Sequence, residues 1–391
     1  MARGRSRETR EACVKAAEIE RGRGQTDAAF DLFLECAAAG RGPAAASAAR
    51  ENRTMVVPPS SPQPEQDGRL PGAASAPGSG FAPAHDVPIP YLQRVREYYL
   101  ALGYGAPYEW AHHVDVPFRP LGQPISRSRV ALVTTAAPYR PGAGDQGPGA
   151  PYNAQAKFYA VYSGVTAHDH DLRIAHVAID RQHTSAQDPG TWFPLAALRR
   201  AAAAGRIGSL APRFHGAPTN RSHRTTLEVD GPEIVARCLA DAVDAVVLVP
   251  NCPVCHQTVS LVARLLEERG IASVVMGCAK DIVELVGVPR LLFSDFPLGN
   301  SAGRPHDVAS QDATLDLALT LLEQAPAART TVQSPLRWSD SPDWKLDYCN
   351  VARLSPEELA RRRAAFDEGK VQAKALRERQ APARQIDRGG P

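Results

Sequence analysis

Between residues 231 and 294 the chain alternates two apolar patterns. Residues 232–242 carry Ile234, Val235, Cys238 and Leu239 at helical spacing, with Pro232 at the position where a missing N–H is tolerated. Residues 244–250 form a short run rich in β-branched side chains, which predicts a buried strand. Helical spacing returns over 257–269 through Val259, Val262, Leu265 and Leu266, and Gly270 supplies a stop. A strand over 272–276, a helix over 280–286 and a strand over 290–294 continue the series. This alternation with short connections predicts an α/β fold: a parallel, doubly wound core of flavodoxin- or Rossmann-like type with right-handed crossovers. In such sheets sites collect beyond the carboxyl ends of the strands. Cys252 and Cys278 each follow a strand directly, so both are expected at that edge, along with residues 295–300.

Upstream the pattern predicts an aromatic-rich helix over 91–102, a strand over 130–135 and a Pro/Gly-rich loop over 138–151. Strands near 157–163 and 172–179 and a helix over 194–204 follow. That is enough for a second, similar α/β lobe, with a boundary near 215–231. Downstream come a helix over 309–323, an aromatic strap over 335–344 and, within a C-terminal segment 351–391, a charged helix over 356–380. Residues 89–350 are thus the expected folded body. Residues 1–88 are Ala-, Arg- and Pro-rich, with a weak helical pattern over 26–38 and a linker-like stretch over 57–88, and are expected to be disordered. Met55 is a candidate natural start.

Composition narrows the function. The 391 residues suffice for one large α/β domain or two smaller ones. The formal charge is +3, and basic residues gather at the two ends rather than in the body, so no nucleic-acid surface is expected. No apolar run reaches the roughly 18 residues a membrane helix needs. The 7 cysteines (Cys13, Cys36, Cys238, Cys252, Cys255, Cys278, Cys349) are scattered and odd in number. This argues against a secreted disulfide framework and for a reducing cytoplasm. No G-x-G-x-x-G follows an early strand, so no NAD is expected.

The chemistry points to Asn251-Cys252-Pro253-Val254-Cys255-His256, set where a strand turns into a helix. There the unpaired N–H groups and the helix macrodipole stabilise a thiolate, which suits dithiol–disulfide chemistry. Three other readings stand beside it. A structural zinc site needs ligands that no second Cys-x-x-Cys provides. Covalent haem fits the Cys-x-x-Cys-His spelling but has no export signal to accompany it. The last is a pair of ordinary half-buried cysteines. A further polar cluster (His168, Asp169, His170, Asp171, His176, Asp180, His183) invites a metal, yet no additional ligand follows at tight spacing, so no metal site is assigned. A donor-rich loop holding Arg213, His215 and Asn220 can capture a carboxylate or phosphate.

The order of several segments carries a resemblance. Asp115-Val116-Pro117-Phe118 precedes the strand at 129–136, then come His176-Val177-Ala178-Ile179-Asp180, Phe193-Pro194-Leu195 and Gly208-Ser209-Leu210-Ala211-Pro212. The redox turn and Phe296-Pro297-Leu298-Gly299-Asn300 follow. Residues from about 98 to 348 resemble the selenoprotein B family of glycine, sarcosine and betaine reductases, together with the related D-proline reductase subunit. The resemblance implies reductive cleavage of a C–N bond in a small amino acid or amine, with cysteine standing where the type members use selenocysteine. It also implies a thiol reductant protein and a second reductase subunit as partners, and a homo-oligomer is expected. On this basis Cys252 is the expected nucleophile and Cys255 the resolving thiol, in either order, with His256 as proton donor and Cys278 as a third thiol. His176, His183, Arg213, His215 and Asn220 are the candidate substrate ligands. No cofactor beyond the dithiol and an external thiol reductant is expected. A non-catalytic, electron-passing dithiol subunit is the alternative.

Overall fold

A computed structural model describes residues 82–147, 153–174, 176, 178–219 and 222–386. The expected N-terminal extension up to residue 81, with its helical pattern and linker, lies outside these residues, as does Asn220. No described helix is long and apolar enough to cross a membrane.

The main sheet is built by strands whose residues are almost all buried. They are β1 (Arg129–Thr134), β3 (Tyr162–Val165), β5 (Ser209–Leu210), β6 (Arg213–Gly216), β7 (Ala245–Val249), β8 (Ala272–Gly277), β9 (Arg290–Phe293) and β10 (Thr330–Gln333), with only the short β5 and the edge strands β3 and β10 more exposed. Their order is β10-β9-β8-β7-β1-β6-β3, with β5 also paired to β1. All pairings are parallel except β3 with β6, which is antiparallel. The expected parallel core is therefore a mixed sheet with one reversed edge strand. The candidate lobe boundary at 215–231 separates β6 from β7, and both strands pair with β1 in this one sheet.

Period-two alternation sends successive side chains to opposite faces, and each face finds a helical layer. Val130, Leu132, Val247, Val249, Val274 and Met276 pack with α2 (Leu195–Ala203) and α6 (Val308–Gln324). Ala131, Val133, Val246, Leu248, Val275 and Phe293 pack with α3 (Gly231–Ala240), α4 (Pro253–Glu268) and α5 (Lys280–Val286). Burial on both faces explains why these strands read as continuous apolar runs. α1 (Tyr91–Ala101) and the strap around Trp338, Trp344 and Tyr348 form a smaller core with Cys278, Ala279, Phe296 and Leu298. α7 (Pro356–Ile386) sets Phe366 against Tyr99 and Tyr104, with ring centroids 5.3 and 5.4 Å apart.

Among the described residues, the strand expected over 172–179 is only β4 (Leu172–Arg173), paired with β2 (Ala137–Pro138) apart from the main sheet. Beyond Arg173 the backbone turns to other partners. The N–H of Asp180 donates to Leu298 O at 3.0 Å, and Arg181 Nη2 donates to His176 O at 2.7 Å. Those bonds replace the ladder and bring the His176 segment over the carboxyl end of the sheet.

Candidate active site

β1 is the point where the winding reverses: after it the chain builds β5 and β6 on one side, then crosses to β7 on the other. Crevices open at such points. The segments leaving β1, β6 and β7 supply Thr135, Thr219 and the Cys252–Cys255 turn. The N–H of Asn251 donates to Thr135 Oγ1 at 3.1 Å, tying the exit of β7 to that of β1.

Cys252 is the N-cap of α4, with extended backbone, and Pro253 begins the helix. The Cys252 sulfur accepts the N–H of Cys255 at 3.3 Å, the bond a Ser or Asp would take at an N-cap. The two sulfurs lie 2.6 Å apart. Thr219 Oγ1 is 3.2 Å from the Cys255 sulfur. His176 completes the group: its ligating nitrogen and the two sulfurs all lie within 4.8 Å of one another.

The pair is buried, Cys252 being 6% exposed and Cys255 0%. Burial alone pushes both thiols up, since it penalises a charge. For Cys255 the hydrogen bond from Cys252, the neighbouring His176 and Thr135 outweigh burial and hold the thiol well below its ordinary value. Burial and the hydrogen bond to Cys255 push Cys252 well above it. These opposed shifts favour Cys255 as the thiolate of the pair and Cys252 as the protonated partner beside it. One helical turn thus supplies both a nucleophile and an acid.

His256 is fully occupied. Its Nδ1 lies 2.8 Å from Cys252 O, while Nε2 receives the N–H groups of Cys278 at 2.9 Å and Ala279 at 3.1 Å. Two backbone donors on Nε2 require the neutral, Nδ1-protonated ring, and burial lowers its pKa to about 4. The ring therefore joins the start of α4 to the end of β8. Gly277 makes room for it, because a Cβ there would stand 3.0 Å from His256 Cδ2.

The remaining candidates divide by location. Cys278 is buried, 3.5 Å from Ser301 Oγ, with its pKa pushed by burial to about 12, and the His176 cluster does not include it. His183 stands between two carboxylates, 3.0 Å from Asp180 and 3.1 Å from Asp347, and so fastens the His176 segment to the strap. Arg213 grips the Asp241 carboxylate at 2.8 and 3.1 Å. His215 lies 2.8 Å from Ser163 Oγ, and burial lowers its pKa to about 4. The contacts of Arg213 and His215 lead away from the thiols. Of the candidates, the structure gathers Cys252, Cys255 and His176 at one point, with His256 bracing them.

Thr135 and Thr219 carry no motif and escape a sequence reading, and Asn251 opens the singled-out turn without being given a role there. Their one signal is position, each standing one to three residues beyond a strand of the switch point. Asn251 is fully buried, and neither Oδ1 nor Nδ2 has a hydrogen-bond partner among the described residues.

No family model matches the chain, and no solved structure matches it. It is similar to D-proline reductase subunit gamma of Acetoanaerobium sticklandii, with 29% identity over 171 residues that span 43% of this chain and 69% of that protein. The chain is a distant homologue of that reductase subunit, which supports a related reductase family and not the narrower selenoprotein B assignment.

Proposed function

We propose that the chain is a thiol-dependent reductase that cleaves a C–N bond in a small amino acid, with a cyclic imino acid such as D-proline as the first candidate. The observation that carries this reading is the buried Cys252–Cys255 pair beside His176 at the switch point of the sheet. Kinship to a protein named D-proline reductase subunit gamma supports it.

The chemistry balances with two thiols. A thiolate, for which Cys255 has the better electrostatics, attacks the carbon bearing nitrogen. The S–C bond forms, the C–N bond breaks, and the leaving nitrogen takes the proton held by Cys252. Cys252, now a thiolate, attacks the sulfur of Cys255. The S–S bond forms, the C–S bond breaks, and the carbon keeps the electron pair and is protonated. The substrate gains two electrons and the pair becomes a disulfide, which an external dithiol reduces. The departing carbanion needs an adjacent carbonyl, which the amino acid's own carboxyl group provides. Asn251, whose side-chain donor and acceptor have no partner among the described residues, is suited to orient such a group.

Turnover of D-proline with dithiothreitol tests the reading, with the chain alone and with a co-encoded reductase subunit. Cys252→Ser and Cys255→Ser are each expected to abolish product while the circular dichroism spectrum stays that of the parent. Parent-like turnover in both variants would sink the proposal. A second reading, a dithiol subunit that passes electrons to a substrate-bearing partner, draws support from the word subunit in the relative's name and from the burial of the pair. Turnover only in the presence of the partner would favour it.

A further inference from the structure

The Cys252–Cys255 pair faces a problem of charge that thiol chemistry alone leaves open. Both sulfurs are buried, so a dithiolate there would place two negative charges in a site nearly closed to water. His176 stands beside Cys255 and is itself buried, and its Nδ1 has no hydrogen-bond partner among the described residues. Buried polar atoms without partners are uncommon, and a bound ion is one of the few things that account for them. The ligating nitrogen of His176 and the two sulfurs lie within 4.8 Å of one another.

We infer that the reduced pair and His176 form a three-ligand site for one Zn2+ ion, with a fourth position open to water or a small ligand. Two thiolates and a neutral imidazole around Zn2+ give an assembly of zero net charge, which a buried site tolerates where a bare dithiolate is disfavoured. Two cysteines, one histidine and an open position form a known type of zinc donor set. Zinc takes the place of the thiol protons, and these pass to solvent. With Zn–S bonds of about 2.3 Å in tetrahedral geometry, the sulfurs stand about 3.8 Å apart. Binding therefore separates them from the 2.6 Å seen here. That separation blocks disulfide formation and takes the nucleophile out of use. The ion is a reversible brake on the pair, distinct from a structural zinc on which folding depends.

The site is tested on the full chain, reduced and then dialysed against Zn2+ in the presence of a weak chelator, with bound metal counted by mass spectrometry. Co2+ in place of zinc reports sulfur ligation through its near-ultraviolet charge-transfer band. One ion per chain is expected, with affinity weakened at least about tenfold in His176→Ala and abolished when the pair is oxidised beforehand. The inference fails if His176→Ala binds as the parent does, or if the oxidised chain keeps its ion. Should His176→Ala misfold, His176→Gln and the oxidised parent decide the question. No substrate enters these measurements. A chain that binds zinc in this way but turns nothing over upholds the site and removes the reductase reading, and turnover without zinc binding does the reverse.

Discussion

Asn251 sits one residue before the reactive turn with a buried side-chain amide that bonds to no described residue. An amide kept in that state adds little to stability, because desolvating it costs about 1–3 kcal/mol with no bond in return. Replacing it by the similarly sized Leu is therefore expected to leave the unfolding midpoint unchanged or raised, while turnover falls by about tenfold or more. Chemical denaturation and product assays on Asn251→Leu check both halves, and a strongly destabilised variant would mean that the amide has protein partners. His256 and His215 set a different dependence. Burial depresses both to about 4, below the ordinary value of 6.5. A depressed folded-state pKa means that the unfolded chain binds the proton first. Their contribution is fully present above pH 6.5 and is lost as the pH falls from 6.5 to about 4. Denaturation midpoints across that window should fall with acidification, and the fall should be shallower in His215→Gln. A flat profile over the same window would show these rings to be exposed to protons in the native state.

The first turn of α4 and the end of β8 act together through His256. Gly277→Ala forces a Cβ against that ring, and the expected result is a loss of about 1–3 kcal/mol together with a shifted thiol reactivity profile. Iodoacetamide labelling across pH, read at Cys255, reports the second effect; an unaltered profile would uncouple the ring from the sulfurs. The elements from Gly231 onward were legible because strands buried on both faces must be apolar throughout, and the intervening helices keep one apolar stripe. The thiol turn was legible for the same reason, since Cys252 and Cys255 follow such a strand. The stretch near 172–179 misled because Leu172, Ile174 and Ile179 mimic a strand, whereas the backbone there bonds to the Leu298 loop. The reversal of β3 was illegible, as pairing direction leaves no mark on a strand of its length. Residues such as Thr135 and Thr219 matter through where the sheet carries them, which no local spacing records.

Segments distant in sequence close over the carboxyl edge of the sheet. Lys345, nearly buried in the strap, joins Asp86 at 2.8 Å to Asp295 at 2.6 Å, while His183 ties Asp180 to Asp347. Lys345→Ala leaves the two carboxylates without their shared cation and is expected to destabilise the chain by about 3 kcal/mol. It should also speed labelling of Cys252 by a small alkylating agent, because the hydroxyl of Tyr348 in the same strap donates to Ala178 O at 3.0 Å and so holds the His176 segment in place. Mass spectrometry of the labelled peptide checks this, and an unchanged rate would mean that the strap does not govern access. The depth of the sulfurs bears on how electrons can be delivered. A small dithiol diffuses to a buried disulfide, so its rate should rise in proportion to its concentration. A protein-sized reductant meets the disulfide only while the cover is open. Its rate should instead level off at the frequency of opening, and that plateau would be a clock for the motion of the strap.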